Sequence, residues 1–307
     1  MEEERYKHLN KYLKEKYGER VLKICIDGNF SCPNRDGTCG KGGCIFCSEK
    51  GSGDHLHKWT IQQQINSFLN SYRGKRANKF IAYFQNFTNT YADVQTLKEK
   101  YDEALKSSSK IIALSVATRP DCINEDVVKL LASYMGEYDV YVELGLQTAD
   151  EKIASYINRG YKNNVFTKAV GLLNSYKIPV IVHIMVGLPF EDDKTIMKNI
   201  DFINSHNIQG IKIHSTYVVK NTVLYQKYIN NEYIPLTIDD YIEKACFYLT
   251  HISPEIVIHR ISGDAPKESL IAPDWNAHKK WIMNGIDKYL KEKDYKQGMF
   301  YKGKLNK

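Results

Sequence analysis

The 307-residue sequence has little of what secreted and membrane proteins need. Its first twenty residues, MEEERYKHLNKYLKEKYGER, are charged throughout, which argues against a signal peptide. The most apolar run, IPVIVHIMVGLPF, contains His183 and two prolines and is too short to span a bilayer. Seven cysteines form an odd number with four in one loop, so no disulfide framework is indicated. These absences predict a cytoplasmic protein of a reducing compartment, with no membrane partner.

Short apolar runs rich in β-branched residues alternate with helical patterns along most of the chain. Caps at Asn124, at Asp192 or Asp193, and at Thr237 mark the starts of three of the helices. Nearly continuous apolar strands indicate a parallel sheet covered by helices. Six such units are fewer than the eight of a full barrel, so we expect an α/β fold with a partial (βα)6 barrel of TIM type. The predicted strands cover residues 21–26, 79–84, 110–117, 138–145, 178–187 and 208–214.

A later strand-like run, EIVIHRI at 255–261, begins a region of different character. Residues 276–307 contain nine lysines against three acidic residues, which leaves +6 of the total net charge of +7. A basic tail is typical of phosphate binding and equally of a solvated helix, and both interpretations stay open. We therefore divide the chain into an N-terminal helix (1–20), the barrel (21–250) and a C-terminal extension with a basic tail (251–307).

Polar residues follow each predicted strand of the barrel. In open sheets and barrels of parallel strands, ligands gather at the C-terminal strand ends. The sequence therefore predicts a site at this rim. The first strand leads into a loop with four cysteines, and the others end in QNFTNTY, TRPD, LQT, GLPFE and HSTY.

The loop CPNRDGTCGKGGCIFC places cysteines at 32, 39, 44 and 47. Soft thiolates select zinc or iron–sulfur clusters. Structural zinc usually takes paired short-spaced cysteines, whereas only the last pair here has that spacing. A cubane cluster with three protein thiolates leaves one iron open to a substrate or cofactor. The pattern favours such a cluster, and a zinc-stabilised nucleic-acid-binding protein stays as the alternative of another class.

The loop resembles the cluster loop of radical S-adenosylmethionine (SAM) enzymes, whose last element is C-x-aromatic-C. Its spacing departs from the common C-x3-C-x2-C form. The longer form is similar to that of the Elongator-like branch, in particular the bacterial YtqA/YhcC-type subfamily. The resemblance covers most of the chain. The motifs that carry it are KI-x-x-DGNFSCPNRDGT, ELGLQT, NRGY, HIMVGLPFE and HRISGDAP-x-x-x-LIAP-x-W.

The resemblance implies that Cys32, Cys44 and Cys47 hold a 4Fe-4S cluster. Cys39 falls where the pattern requires no cysteine. It is either a bystander or a replacement for Cys32, and the register set by CPNRDG favours the bystander.

The resemblance also implies positions around bound SAM. Arg159 matches a position that pairs with the SAM carboxylate, and Gln85 and Asn86 stand where many relatives have a Gly-Gly-Glu turn for the amine. Gly187 and Pro189 resemble the turn that receives adenine. The full predicted set is Gln85, Asn86, Glu143, Gln147, Arg159, His183, Gly187 and Pro189. Weaker candidates for substrate contacts are Arg119, His214, His259, Arg260 and Asp264.

The activity implied by the resemblance is reductive cleavage of SAM to a 5′-deoxyadenosyl radical, which abstracts hydrogen from a substrate. We assign no general acid or base. The subfamily implies tRNA as the partner and wobble uridine as the target, with a carboxymethylaminomethyl side chain converted to an aminomethyl one. An electron donor such as flavodoxin or ferredoxin is also implied. The alternative within the family is a small metabolite or cofactor precursor as substrate.

Overall fold

A computed structural model describes residues 4–49, 51, 59–265 and 268–303. Lys304 and Lys307 of the predicted basic tail and Pro266 of the HRISGDAP motif lie outside these ranges. The strands are β1 (Val21–Ile26), β2 (Lys79–Phe84), β3 (Ile111–Thr118), β4 (Asp139–Gln147), β5 (Val180–Val186), β6 (Gly210–Ser215), β7 (Val218–Val219), β8 (Val257–Arg260) and β9 (Leu270–Ala272). The helices are α1 (Leu9–Tyr17), α2 (Ile61–Asn70), α3 (Val94–Lys106), α4 (Glu125–Ser133), α5 (Glu151–Tyr156), α6 (Asn163–Ser175), α7 (Asp193–Asn204), α8 (Val223–Ile229), α9 (Ile238–His251) and α10 (Lys279–Glu292).

Seven parallel strands form one sheet in the order β1-β2-β3-β4-β5-β6-β8. In the described residues β1 and β8 are its two edges, so strand pairing does not close the barrel. The predicted α/β fold with a partial barrel is confirmed. The late strand β8 pairs with β6, so the sheet continues past residue 250 into the segment predicted as an extension. A separate antiparallel pair joins β7 to β9.

The helices begin at the caps that the sequence indicates. The side chains of Asn124, Asp192 and Thr237 accept backbone N–H bonds in the first turns of α4, α7 and α9. These bonds satisfy donors that have no partner within the helix. Within the described ranges, no helix combines the length and apolar character needed to cross a membrane.

The barrel interior is layered, because alternate side chains of a strand point to the same face. Leu13 of α1 packs against a lower layer that is mostly aliphatic, and together they form a floor. The lower layer consists of Val21, Ile81, Ala113, Tyr141 and Ile181. Two residues further along the same five strands stands a polar layer of Lys23, Tyr83, Ser115, Glu143 and His183. The polar layer therefore lies between the floor and the rim.

The floor helix α1 lies beside both edge strands, β1 and β8. The segment before it pairs with β8, where the N–H of Ile258 donates to the carbonyl of Lys7 at 2.9 Å. The same segment is held by residues near 297: the Lys7 N–H donates to Gln297 Oε1 at 2.8 Å, and the Gln297 N–H donates to the Arg5 carbonyl at 2.8 Å. We call this contact between residues 5–8 and 294–297 the terminal clamp.

The region predicted as a basic tail contains a packed helix. Ile282, Ile286 and Leu290 of α10 are fully buried in the main core, and α10 packs against α9. The seven lysines of this region that the structure describes are exposed, on α10 and in the residues that follow it. Deleting residues 276–307 would therefore remove part of the core together with the charge.

Candidate active site at the C-terminal rim

A cavity of about 900 Å³ occupies the barrel from the floor residues Leu13 and Val21, past the polar layer, to the rim. Every strand of the large sheet contributes to its wall, and so does the cysteine loop. The structure brings most of the predicted site residues to it: Cys32, Cys44, Cys47, Gln85, Arg119, Glu143, Gln147, Arg159, His183, His214, His259, Arg260 and Asp264. Asn86, Gly187, Pro189 and Cys39 do not line it.

The four cysteines of the loop divide into two groups. Cys32, Cys44 and Cys47 line the cavity, while Cys39 is exposed and is not part of the lining. Across the described ranges, no three His, Cys, Asp or Glu side chains stand close enough to hold a single metal ion. Three soft thiols around one wall of a cavity form a donor set that suits a cluster, whose thiolates sit on different irons.

Neighbouring side chains hold this loop and donate to its sulfurs. Asn34 Nδ2 donates to the Asn158 carbonyl at 2.6 Å and approaches Cys44 Sγ at 3.8 Å. Arg35 Nη1 donates to Cys47 Sγ at 3.3 Å. A Cβ on Gly40 would lie 2.3 Å from Asn34 Oδ1, so the close approach of the loop backbone requires glycine there. N–H donors around thiolate ligands are typical of iron–sulfur sites.

Arg159, whose contact with the SAM carboxylate stays a prediction, lines the cavity and is held by protein acceptors. Its side chain is 1% exposed, and all five of its N–H groups have protein acceptors. With these bonds Arg159 fixes the turn after β4. The acceptors are the carbonyls of Leu146, Thr148 and Tyr161, the last taking two bonds, and Asn163 Oδ1.

Asn86, Gly187 and Pro189 are not among the residues that line the cavity, and their contacts with SAM stay predictions. Asn86 is 3% exposed and donates to Asp27 Oδ2 at 2.9 Å. Gly187 has φ +87°, which favours glycine, and its N–H donates to Glu191 Oε1 at 2.9 Å. Pro189 is buried. These residues shape the loops behind the wall of the cavity rather than the wall itself.

Arg119 lines the cavity but is held by its neighbour. Its Nε and Nη2 donate to the two carboxylate oxygens of Asp121 at 2.9 and 2.7 Å, and Nη1 donates to the Arg159 carbonyl at 3.0 Å. Arg260 likewise pairs with Asp264 at 2.7 Å. Gln147, at φ +60°, accepts a long bond from Tyr161 at 3.4 Å. Gln147 is therefore the least constrained of these groups.

Comparison with known proteins decides the family. The sequence profile of the Radical SAM superfamily matches residues 37–203, and that of the Radical_SAM C-terminal domain matches residues 208–292. The chain belongs to the radical SAM superfamily. It is an enzyme of that family, which excludes the non-enzymatic zinc-binding alternative.

This radical SAM chain is 40% identical to the YtqA protein of Bacillus subtilis over 97% of its own length and 94% of that protein. It is 29% identical to the tRNA uridine(34) acetyltransferase of Methanocaldococcus jannaschii over 58% of this chain and 33% of that protein. The solved structure of Methanocaldococcus infernus Elp3 with an N-terminal deletion has a TM-score of 0.66 at 17% identity. It covers 90% of this chain and 64% of the Elp3 chain, and it shares the fold.

Glu143 is the centre of the polar layer in this radical SAM barrel. It is fully buried and accepts four donors, which fills the lone-pair sites of a carboxylate. The contact of Glu143 with SAM stays a prediction, and the structure shows Glu143 held by protein donors. The donors are Lys23 Nζ at 2.7 Å, Ser115 Oγ at 3.0 Å, His183 Nε2 at 2.7 Å and Lys212 Nζ.

Lys23 and Lys212 are site residues that the predicted set does not contain. Both line the cavity; the side chain of Lys212 is 5% exposed and that of Lys23 is 17% exposed. Lysine is rarely buried to this extent unless it is paired. The signal that could have found them is a single lysine in the middle of an otherwise apolar strand, in VLKICI and GIKIH.

His183 makes the folded protein sensitive to acid. Burial, with Lys212 nearby, lowers its pKa to about 4, and the pKa of His214 is lowered too. Below about pH 6.5 the unfolded chain binds a proton at this histidine that the folded chain does not. The free energy of unfolding is therefore expected to fall as the pH drops from about 6.5 to about 4. Urea unfolding across this range measures the fall.

In the His183→Gln variant the free energy of unfolding should fall less between about pH 6.5 and about pH 4. The difference from the unmodified chain should be on the order of 3 kcal/mol at most. His206, a half-buried histidine at the end of α7, provides the matched control as His206→Gln. If both variants retained the same acid slope as the unmodified chain, His183 would not be the source.

Proposed function

We propose that the chain holds a 4Fe-4S cluster through Cys32, Cys44 and Cys47 and binds SAM in the adjoining cavity. We propose further that it converts the carboxymethylaminomethyl side chain of wobble uridine in tRNA to an aminomethyl one. The observation that carries the proposal is the division of the loop, which turns three cysteines toward one large cavity and leaves the fourth outside. The electron donor in this proposal is a flavodoxin or ferredoxin.

Bound at such a cluster, SAM supplies a radical that removes hydrogen from the substrate. The chain's own residues position the reactants and exclude water. Asn34 and Arg35 donate toward the sulfurs of Cys44 and Cys47. Phe46 lines the cavity beside them and covers the cluster position with apolar surface. Gln85 and Gln147, also in the wall, provide polar groups for the amino-acid or ribose end of SAM.

Support for tRNA comes from the relatives and from charge. One matched relative is named as a tRNA uridine(34) acetyltransferase. The described residues 279–303 carry seven exposed lysines against three acidic residues, and basic surfaces attract phosphate. These two observations favour tRNA over a small metabolite as the substrate.

Anaerobic incubation with SAM, a reductant and bulk tRNA, followed by nucleoside mass spectrometry, tests the proposal. We expect loss of the carboxymethylaminomethyl nucleoside, gain of the aminomethyl nucleoside and release of 5′-deoxyadenosine. Release of 5′-deoxyadenosine with an unchanged nucleoside profile would retain the radical chemistry and reject the tRNA substrate.

The exposed lysines of α10 are expected to strengthen tRNA binding through phosphate contacts. Replacing Lys280, Lys291 and Lys293 together with glutamine leaves the apolar face of α10 intact. Removing one phosphate contact lowers the slope of log K against log salt by about 0.7 to 0.9. We therefore expect weaker binding at low salt and a slope smaller by about two. Filter binding from low to high salt measures both quantities.

A matched variant carries the same three changes elsewhere, at Lys98, Lys106 and Lys110 on and after α3, where the lysines are also exposed. It should bind tRNA like the unmodified chain. Equal losses of affinity in the two variants would show that net charge, rather than the α10 surface, controls binding.

A further inference from the structure

The polar layer carries more positive charge than the protein itself neutralises. Lys23 and Lys212 both point at one carboxylate, that of Glu143, which is 0% exposed. Arg260, which also lines the cavity, already has Asp264 as its partner. When both amino groups around a single buried carboxylate are protonated, one positive charge is left without a counter-charge in a poorly solvated place. Such a charge favours a bound anion.

The two ammonium groups keep donors available. Lys23 Nζ has Glu143 as its hydrogen-bond partner and lies 4.8 Å from the centre of the Tyr83 ring. Lys212 Nζ bonds to Glu143 and donates to the Tyr83 hydroxyl at 2.9 Å. An ammonium has three N–H donors, so neither group is saturated by these contacts. Burial lowers the pKa of Lys212 to about 7, and a second carboxylate beside it would favour its charged form.

The layer is deeper than the predicted cluster. Lys23 comes three residues before the end of β1, and Lys212 comes three residues before the end of β6. At about 3.3 Å per residue, both stand roughly 10 Å below the rim where the cysteine loop begins. The amino-acid end of SAM is expected at the rim, beside the open iron. The deep layer is therefore free for a group from another molecule.

We propose that Lys23 and Lys212 form a carboxylate-binding site in the polar layer. This site would hold the carboxylate of the substrate side chain, an assignment that rests on the proposed function, in which the substrate carries a carboxymethylaminomethyl group. The site selects for the carboxylate-bearing side chain and has no comparable partner for the aminomethyl product. It is therefore a specificity determinant for the reaction.

The first arm of the test needs no RNA. The thermal midpoint of the cluster-loaded protein is measured in sodium acetate, and in acetamide with sodium chloride at the same ionic strength. A ligand that binds only the folded state raises the midpoint, here by about 2 °C at acetate concentrations well above its Kd. We expect the rise in the unmodified protein and its loss in Lys212→Met. Equal rises in the two proteins would overturn the carboxylate site.

Lys79 of β2 offers the control, because it is a strand lysine paired with Glu19 at 3.5 Å and does not line the cavity. Lys79→Met should keep the acetate response. If Lys212→Met does not fold, Lys23→Met carries the same test, since Lys23 contacts the same carboxylate.

The second arm identifies the source of the carboxylate. Anticodon stem-loops carrying the carboxymethylaminomethyl group or its neutral methyl ester are titrated with the same proteins. We expect the unmodified protein and Lys79→Met to bind the acid at least tenfold more tightly than the ester, since a charge-assisted contact is worth about this much. In Lys212→Met the two affinities should agree within about twofold. An unchanged preference for the acid would overturn the assignment to the substrate.

The Kd of SAM is measured alongside. Lys212→Met could instead lose tenfold in SAM affinity and keep its preference for the acid stem-loop over the ester. That result would show that the site binds the carboxylate of SAM, and it would overturn the substrate assignment. If acetate stabilises the protein but neither stem-loop binds, the carboxylate site is supported and the tRNA function is rejected.

Discussion

Anaerobic reconstitution of the Cys39→Ser variant is expected to give as much iron as the unmodified chain, about four atoms per chain. The Cys32→Ser variant is expected to lose most of it. Loss of an outer-shell partner alone costs roughly 10- to 100-fold in metal affinity, and Cys32 is proposed as a direct ligand. Serine oxygen is a poor substitute for a soft thiolate. Iron content and the visible absorbance of the cluster measure the outcome.

The two cysteines form a matched pair for this experiment, because they belong to one loop and differ in where they face. Cys32 lines the cavity and Cys39 is exposed outside it. The backbone N–H of Cys39 donates to the Pro33 carbonyl at 2.8 Å, and serine retains that bond. Loss of iron in Cys39→Ser with iron kept in Cys32→Ser would assign the cluster to Cys39, Cys44 and Cys47.

Glu143→Gln is expected to lower the free energy of unfolding by about 3–5 kcal/mol, although the side chain keeps its size. The carboxylate is fully buried against Lys23, Lys212 and His183, and its pKa is held well below the usual range by the two lysines, against the effect of burial. Removing one partner of a buried ion pair leaves an uncompensated charge. Urea unfolding at neutral pH measures the loss.

The loss should shrink as the pH rises toward about 10. In the variant the folded chain releases lysine protons that the unfolded chain still binds, so stability rises with pH until the unfolded lysines titrate as well. The double variant Glu143→Gln, Lys212→Met should recover part of the loss, because it also removes one of the unpaired cations. A loss that does not change with pH, and that the double variant does not recover, would indicate a packing defect instead.

Much of the fold follows from apolar periodicity. The first two predicted strands, 21–26 and 79–84, coincide with β1 and β2, and the others differ by one or two residues at their ends. A strand that is buried on both faces of a sheet appears in the sequence as a nearly continuous apolar run, so the ends of such strands can be predicted closely. The seventh strand was harder to place, because β8 joins the sheet through pairing with β6, a contact that local sequence does not encode.

The site was less predictable than the fold because it depends on which partners a charged residue finds. Arg159 has the side chain to bind a carboxylate, yet the backbone after β4 supplies acceptors for all of its N–H groups. Lys23 and Lys212 are far apart in sequence and meet only because β1 and β6 face each other across the barrel, with Glu143 between them. The cysteine loop was predictable because its residues are local.

The terminal clamp has a consequence for synthesis of the protein. Residues 5–8 leave the ribosome about 290 residues before their partners near 297. At about 5–20 residues per second, the segment waits on the order of 15 to 60 s for those partners. The barrel therefore cannot acquire its finished floor during most of translation, and contacts of such high sequence separation form late and slowly. A ribosome that stalls before β8 would hold a nascent chain with strands β1 to β6 of the large sheet. That chain would lack β8, and its floor helix α1 would not yet be held in place. Such a state is suited to capture by chaperones.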